Sequence, residues 1–248
     1  MTYGICALSL IPIREASQHN APLVSEVLYG DIFKIITSQK FWSKVRLQDK
    51  TEGWINNTQF QEISVSNFEE LAAQPSQLAT DLVEFIYKDS QILFAVPIGS
   101  LVHRAPFLGH RFEGATSGKK AQKESLRDRA FMFINTPFYK GGKSPFGIDA
   151  DGFVQTVYAL CGIPLPRTAT AQAEKGHVLS FIEESEPGDL AFFDNSDGEI
   201  VHVGIILENN HIIHAHGHVR VDRLDQTGIF NPELRTHTHK LRLIKSIA

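Results

Sequence analysis

The segment Gly147-Ile148-Asp149-Ala150-Asp151-Gly152-Phe153-Val154-Gln155 constrains this chain more than any other. It opens a stretch in which Phe153, Val154, Val157, Leu160 and Cys161 follow helical spacing, so a helix is predicted from Asp151 to Cys161. Asp149 suits the N-cap, where a short carboxylate accepts a hydrogen bond from the first unpaired amides. Gly162 and then Pro164 stop the helix. A side chain at position 150 stands at the positive end of that helix, where the dipole lowers a thiol pKa and nucleophiles are often placed. The residue there is Ala150, which has no chemistry.

Histidine placement is the second signal. Seven of the 11 histidines follow residue 200. Ile200 to Leu207 and His211 to His216 read as a hairpin turning at Asn209-Asn210. Strand alternation sets His202 and Gly204 on one face, with Val201, Val203, Ile205 and Leu207 on the other. His214 and His216 share a face of the return strand, and Gly204 is expected to leave open space beside His202. The pattern therefore brings His202, His214 and His216 together near the helix start.

The remaining chain frames these two features. Residues 3–63 hold short alternating runs about ten residues apart, separated by turns at Tyr29-Gly30-Asp31 and Asp49-Lys50, which suggests a small β-barrel. Trp42 and Trp54 are expected in its core. Residues 64–123 read as a connector or a degenerate second β unit, with a short helix from Leu78 to Tyr87, a strand from Ile92 to Val102 and a loop from Gly109 to Lys120. Residues 124–137 are predicted helical, with Leu126, Ala130, Phe131 and Ile134 on one face. A short helical piece from Ala169 to Lys175 follows. Strands are expected at Leu190 to Asp194, in the hairpin, at Val219 to Leu224 and at Lys240 to Ile244. Helices preceding an antiparallel sheet make an α+β pattern, with domains at 1–63 and 124–248.

The net charge of −4 argues against a nucleic-acid surface as the main function. Cys6 and Cys161 lie far apart and form no C-x-x-C pattern, so no disulfide framework is expected. No apolar run approaches the ~20 residues of a membrane span, and Met1 to Arg14 lacks a basic leader, so a cytoplasmic location is expected.

Several of these motifs occur together in a known family. The Gly141-Gly142 loop, Gly147-Ile148-Asp149-x-x-Gly152-Phe153-Val154, Leu165-Pro166-Arg167, Pro187-Gly188-Asp189-Leu190-Ala191-Phe192-Phe193, His202-Val203-Gly204-Ile205 and Ile212-Ile213-His214-Ala215 resemble the NlpC/P60 cell-wall cysteine peptidases. Ile11-Pro12-Ile13-Arg14, Val27-Leu28-Tyr29-Gly30-Asp31, Trp42-Ser43-Lys44-Val45 and Gly53-Trp54-Ile55 resemble the bacterial SH3-like domain that often accompanies them. The resemblance implies an SH3-like barrel followed by a papain-like domain of helices packed on an antiparallel sheet. It implies peptidoglycan-derived peptides as ligands, cleaved in the family at γ-D-glutamyl–diamino acid bonds, and no cofactor. By the same resemblance His202 stands at the general base, His214 at the group that orients it, and Asp149 where the substrate's amino end binds.

The departures fall at the chemistry. The family's Asp-Cys-Ser-Gly reads Asp149-Ala150-Asp151-Gly152 here. Lys140 replaces the usual aromatic before the glycine pair, and His216 replaces a small residue. Cysteine catalysis requires a thiolate beside a base, and losing the nucleophile costs roughly six decades of rate, about 8 kcal/mol. Cys161 lies about 16 Å along the helix axis and is read as a core thiol.

Three readings stay open. The chain is a pseudoenzyme that binds wall peptides or a partner, with Asp149, Asp151 and Lys140 toward the ligand. Alternatively, Asp151, His202, His214 and His216 hold a divalent transition metal that supports different chemistry. Alternatively, Ala150 disables an otherwise active endopeptidase.

Overall fold

The structure is a computed structural model and describes residues 2–117 and 125–247. The start of the helix expected from residue 124 and the end of the loop expected up to Lys120 lie outside the described residues. The chain forms two compact units, Met1–Lys120 with Lys140–Pro145 and Ala121–Tyr139 with Phe146–Ala248.

In the first unit, seven strands form one antiparallel sheet: β1 (Thr2–Ile5), β2 (Leu10–Arg14), β3 (Leu23–Leu28), β4 (Ile32–Ser38), β5 (Trp42–Arg46), β6 (Glu52–Asn56) and β7 (Gln61–Ile63). The order is β3-β2-β6-β5-β4-β1-β7. Alternate residues Ile11, Ile13, Val27, Phe33, Ile35, Val45 and Ile55 point into one cluster, so the alternation in sequence becomes a single core. Trp42 is buried, whereas Trp54 is only half-buried.

Helix α1 (Val65–Ala73), which the sequence analysis does not anticipate, follows directly. Ser64 caps it by accepting from the Asn67 amide, and Leu71 packs with Ile5, Ile32 and Ile63. The helix expected from Leu78 to Tyr87 is not formed. Strand β8 (Val83–Lys88) occupies this region and pairs with β9 (Gln91–Pro97) through a tight turn at Asp89 and Ser90, both at positive φ. Val83, Phe85, Ile86 and Tyr87 favour extended backbone, and the period of two wins because Ile86 alone buries against Phe94 and Val96. The strand expected to reach Val102 ends at Pro97. After Gly99, which holds φ 86°, the chain makes a 3₁₀ turn at Val102–Arg104. The buried Arg104 guanidinium donates to the carbonyls of Gly30 and Leu71 and ties this segment to the first sheet. Strand β10 (Arg111–Phe112) pairs with β8.

The second unit begins with helix α2 (Leu126–Phe131). It is shorter than predicted because Asn135 takes φ 65° and donates its amide to Val219, which leads the chain out as an extended segment. Leu126, Ala130 and Phe133 face inward, whereas Phe131 and Ile134 are exposed, so the expected helical face is shifted. Strand β11 (Lys143–Ser144) belongs to the first unit and β12 (Gly147–Ile148) to the second.

Helix α3 (Ala150–Leu160) forms where predicted, with Asp149 as N-cap and Gly162 at φ 80° after its end. It packs against the strands Ile200–Leu207 and His211–His216. Helix α4 (Ala169–Gln172) precedes β13 (His177–Leu179), β14 (Leu190–Asp194), β15 (Ile200–Leu207), β16 (His211–His216), β17 (His218–Leu224), β18 (Gly228–Asn231) and β19 (Thr236–Ser246). The hairpin loop is Glu208-Asn209-Asn210, between the paired Leu207 and His211, and Asn209 and Asn210 both sit near φ 57°, the left-handed region that asparagine tolerates. The antiparallel order is β13-β19-β14-β15-β16-β17-β18, and β18 also pairs with β19. Six strands therefore close on themselves around Ala191, Phe193, Ile206, Ile212, Leu224, Ile229 and Ile244. Both cysteines are buried free thiols. Among the described residues no helix is long and apolar enough to cross a membrane.

Gly204 does not leave open space. A Cβ there would lie 2.7 Å from Ile212 Cδ1 and 3.0 Å from His214 Cβ. The missing side chain instead lets β16 seat His214 close to β15. Gly204→Ala is expected to destabilise the second unit by about 1–3 kcal/mol through overpacking. The check is a shift of the urea transition, and an unchanged midpoint contradicts this role.

Candidate active site

The site starts at the first turn of α3. Asp149 Oδ1 accepts from the Gly152 amide at 2.7 Å, and its Oδ2 lies 2.7 Å from Arg167 Nη2. The side chains of Asp149 and Arg167 are 14% and 6% exposed, so water screens this pair weakly. Pro166-Arg167 is legible as a motif, yet its function as the partner of Asp149 appears only in the structure. Ala150 is buried at 4% exposure, and its methyl occupies the first helical position.

Asp151 turns away to a structural task. Its Oδ2 accepts from the Ala169 amide at 2.9 Å, and Gln172 Nε2 donates to the Asp151 and Pro166 carbonyls. These bonds fasten the start of α3 to α4. Burial pushes the Asp151 carboxyl up to about 6, with Asp149 adding to the rise and the Ala169 amide opposing it.

The histidines form a chain of hydrogen bonds. His202 Nε2 lies 2.8 Å from His214 Nδ1, and His214 Nε2 lies 3.1 Å from Asp222 Oδ2. Asp222 is engaged in turn by Arg220, whose Nη2 donates to Oδ1 at 3.1 Å and whose Nε lies 2.8 Å from Oδ2. Glu233 holds the far side of Arg220 at 3.2 Å. An ionised carboxylate only accepts, so His214 carries its proton on Nε2 and offers Nδ1 as acceptor to His202. Burial alone would raise the Asp222 carboxyl, but the bonds from His214 and Arg220 outweigh it and hold it low. Burial lowers His202 well below the ordinary imidazole range, and the neighbouring His239, His214 and His216 lower it further. Burial also lowers His214, against the pull of Asp222.

The sequence set Asp151, His202, His214 and His216 is not the one the fold assembles. Among the described residues, His202, His214 and His239 form the group of possible metal ligands, with their ligating atoms within 4.8 Å of one another. Asp151 is spent on Ala169, as above. His216 is exposed at the rim, its ring perpendicular to His239 at 4.8 Å and parallel to His214 at 6.3 Å. His239 stacks on His202 at 4.0 Å and meets Phe193 edge-on. Desolvation by burial lowers His239 to about 3, with His214 and His216 contributing. Sequence reasoning missed His239 because it lies on β19, the last strand, which returns from far along the chain to pair with β14 beside the hairpin. Asp222 was missed for a related reason: its register opposite Ile212 places it one strand beyond His214.

An aromatic rim completes the unit. Phe138 pairs with Gly217 by donating its amide to that carbonyl, one residue after His216. Phe138, Tyr139 and Phe146 are 43%, 57% and 71% exposed, which is high for such side chains. Gly147 is required beside them, since a Cβ would lie 2.9 Å from Tyr139 Cβ. Lys140 is exposed in a turn and belongs to the other compact unit. The other cysteine candidate has no chemistry here: Cys161 is 3% exposed and burial raises its thiol to about 11.

Comparison with known proteins agrees with this geometry. Residues 135–238 match the NlpC/P60 family profile, and residues 13–60 match the bacterial dipeptidyl-peptidase Sh3 domain. Dipeptidyl-peptidase 6 of Lysinibacillus sphaericus is 28% identical over 254 residues, covering 88% of this chain and 90% of that protein. The probable endopeptidase p60 of Listeria seeligeri is 42% identical over 89 residues, which is 36% of this chain but only 17% of that protein. A γ-D-glutamyl-L-lysine dipeptidyl-peptidase of Bacillus cereus is 35% identical over 94 residues, 37% of this chain and 28% of that protein. The matches to the last two thus span under a third of those relatives. An NlpC/P60 family protein from Bacillus cereus has a solved structure that superposes with a TM-score of 0.76 over 99% of both chains at 16% identity, a likeness of fold.

The raised Asp151 carboxyl yields a signed expectation. Between its ordinary value of 3.8 and about 6 the folded state holds the proton more tightly, so folding stability falls as pH rises through that window. Asp151→Asn keeps an acceptor for Ala169 and removes the charge. The variant is expected to be more stable than the parent by about 3 kcal/mol at pH 7.5 and equal to it below about pH 3. Urea melts across pH check this, and a pH-independent difference contradicts it.

Proposed function

For a chain that belongs to the NlpC/P60 family through its residues 135–238, we propose binding of γ-D-glutamyl–diamino acid peptides of peptidoglycan without cysteine-dependent cleavage. One observation carries the reading. The hydrogen-bonded His202–His214–Asp222 base system is intact beside a helix whose first residue is the methyl of Ala150. A base can take a proton only from a group that has one to give, and Ala150 has none. The relatives' named activities, endopeptidase and γ-D-glutamyl-L-lysine dipeptidyl-peptidase, supply the ligand class.

The binding features remain. Asp149 is a carboxylate at the helix start, an acceptor-only group of the kind that receives an ammonium. Its pairing with Arg167 fixes the carboxylate orientation before any ligand arrives. The exposed faces of Phe138, Tyr139 and Phe146 offer apolar area to a peptide stem. Asp151 and Lys140 are not needed for this reading. Asp151 acts on the scaffold, and Lys140 departs from the family pattern.

Calorimetry with L-Ala-γ-D-Glu-diaminopimelate is expected to show one-site binding, with the tripeptide recovered intact by mass spectrometry after prolonged incubation. Asp149→Asn preserves a good N-cap and is expected to weaken binding at least tenfold, about 1.4 kcal/mol. Ala150→Cys is expected to restore cleavage, since the base system is already in place. Absence of binding at millimolar tripeptide, or cleavage by the unaltered protein, overturns the proposal.

A further inference from the structure

We propose that His202, His214 and His239 form a binding site for one divalent transition ion of the zinc class. The inference does not depend on peptide binding. Three imidazole nitrogens from three different strands lie within 4.8 Å of one another on buried or half-buried side chains. An all-nitrogen donor set of this kind suits zinc, cobalt, nickel or copper and does not suit calcium or magnesium, which take oxygen ligands.

Distance supports the assignment. Ligands about 2.0–2.1 Å from a tetrahedral metal are roughly 3.3 Å apart. His202 Nε2 and His214 Nδ1 are 2.8 Å apart, so this bond opens by about half an ångström to admit an ion, while His239 closes toward it. The outer contacts also match what metal-bound histidines need. His214 donates its other ring N–H to Asp222, a carboxylate–histidine arrangement that fixes the tautomer and leaves Nδ1 as the ligand atom. On His239 the Nδ1 atom lies 2.9 Å from Thr238 Oγ1, whose hydroxyl has the Ile229 carbonyl as its own acceptor at 3.4 Å. The His239 proton is thereby placed on Nδ1, with the other ring nitrogen free to ligate. On metal entry the proton shared by His202 and His214 moves to His202 Nδ1, so no ligand is left cationic. His216, perpendicular to His239 at 4.8 Å, stands at the edge where a fourth donor or a water would complete a tetrahedron.

The test uses tag-free full-length protein, first stripped with chelator and then titrated with Zn²⁺ or Co²⁺ alone. About one equivalent is expected to bind, with visible Co²⁺ absorption of tetrahedral strength. His239→Phe keeps the ring stacked on His202 and removes its nitrogen; it is expected to weaken Zn²⁺ affinity more than tenfold. Asp222→Asn, acting through His214, is expected to weaken it about tenfold. Long-range ¹H–¹⁵N spectra of the unaltered protein give a second readout, with the ring nitrogens of His202, His214 and His239 shifting at one equivalent. Absence of stoichiometric binding overturns the site, as does binding that shifts only His216, His218 or His237. The same protein kept in chelator serves for tripeptide calorimetry, so a failure of the metal site and a failure of peptide binding are separate results.

Discussion

The hydrogen bond from His214 to Asp222 is the contact on which the second unit's chemistry depends. It spans two neighbouring strands, lies in the interior and is backed by Arg220 and Glu233. Because Asp222 only accepts, the bond fixes which nitrogen of His214 is protonated. That choice fixes the direction of the bond to His202 and therefore what His202 can do. A buried carboxylate without such partners would cost several kcal/mol, so the network is either complete or costly. Gly204 belongs to the same design, since any side chain there would push His214 off its line.

Around this network the protein has the fold of the NlpC/P60 family, with Ala150 at the first position of helix α3. Helix α3 is capped by Asp149 and buried along most of its length. Asp149 and Arg167 form a pre-set ion pair at its start. The first helical position carries the buried methyl group of Ala150. Burial has a consequence for the histidines as well. It keeps His202, His214 and His239 neutral, which disfavours proton storage and favours donation of lone pairs. In the proposed reading, one arrangement of groups serves peptide binding and offers nitrogen donors.

Much of this was legible in the sequence, because the relevant signals are local. The cap, the period and the stop of α3 lie within sixteen consecutive positions, from Asp149 to Pro164. Asn209-Asn210 fixes the hairpin, and the alternation along β15 and β16 fixes the pairing of His202 with His214. What was illegible depends on strands meeting from far away. His239 reaches the cluster because β19 pairs with β14, and Asp222 because of register on β17. Asp151 looked like a ligand because its type is right, yet the nearby Ala169 amide claims it. In the first unit, the stretch from Leu78 to Tyr87 read as a helix until hairpin pairing with β9 gave its β-branched and aromatic residues a partner.

The central claim is recognition without cysteine catalysis, and an NMR titration with the γ-D-glutamyl tripeptide reads both halves in one sample. The account predicts saturable shifts of the amides at the start of α3, those of Ala150, Gly152 and Phe153 above all, with the tripeptide signals unchanged in amount after days. Product signals of a cleaved γ-D-glutamyl bond, or amides at the start of α3 that do not move at saturating tripeptide, would contradict it.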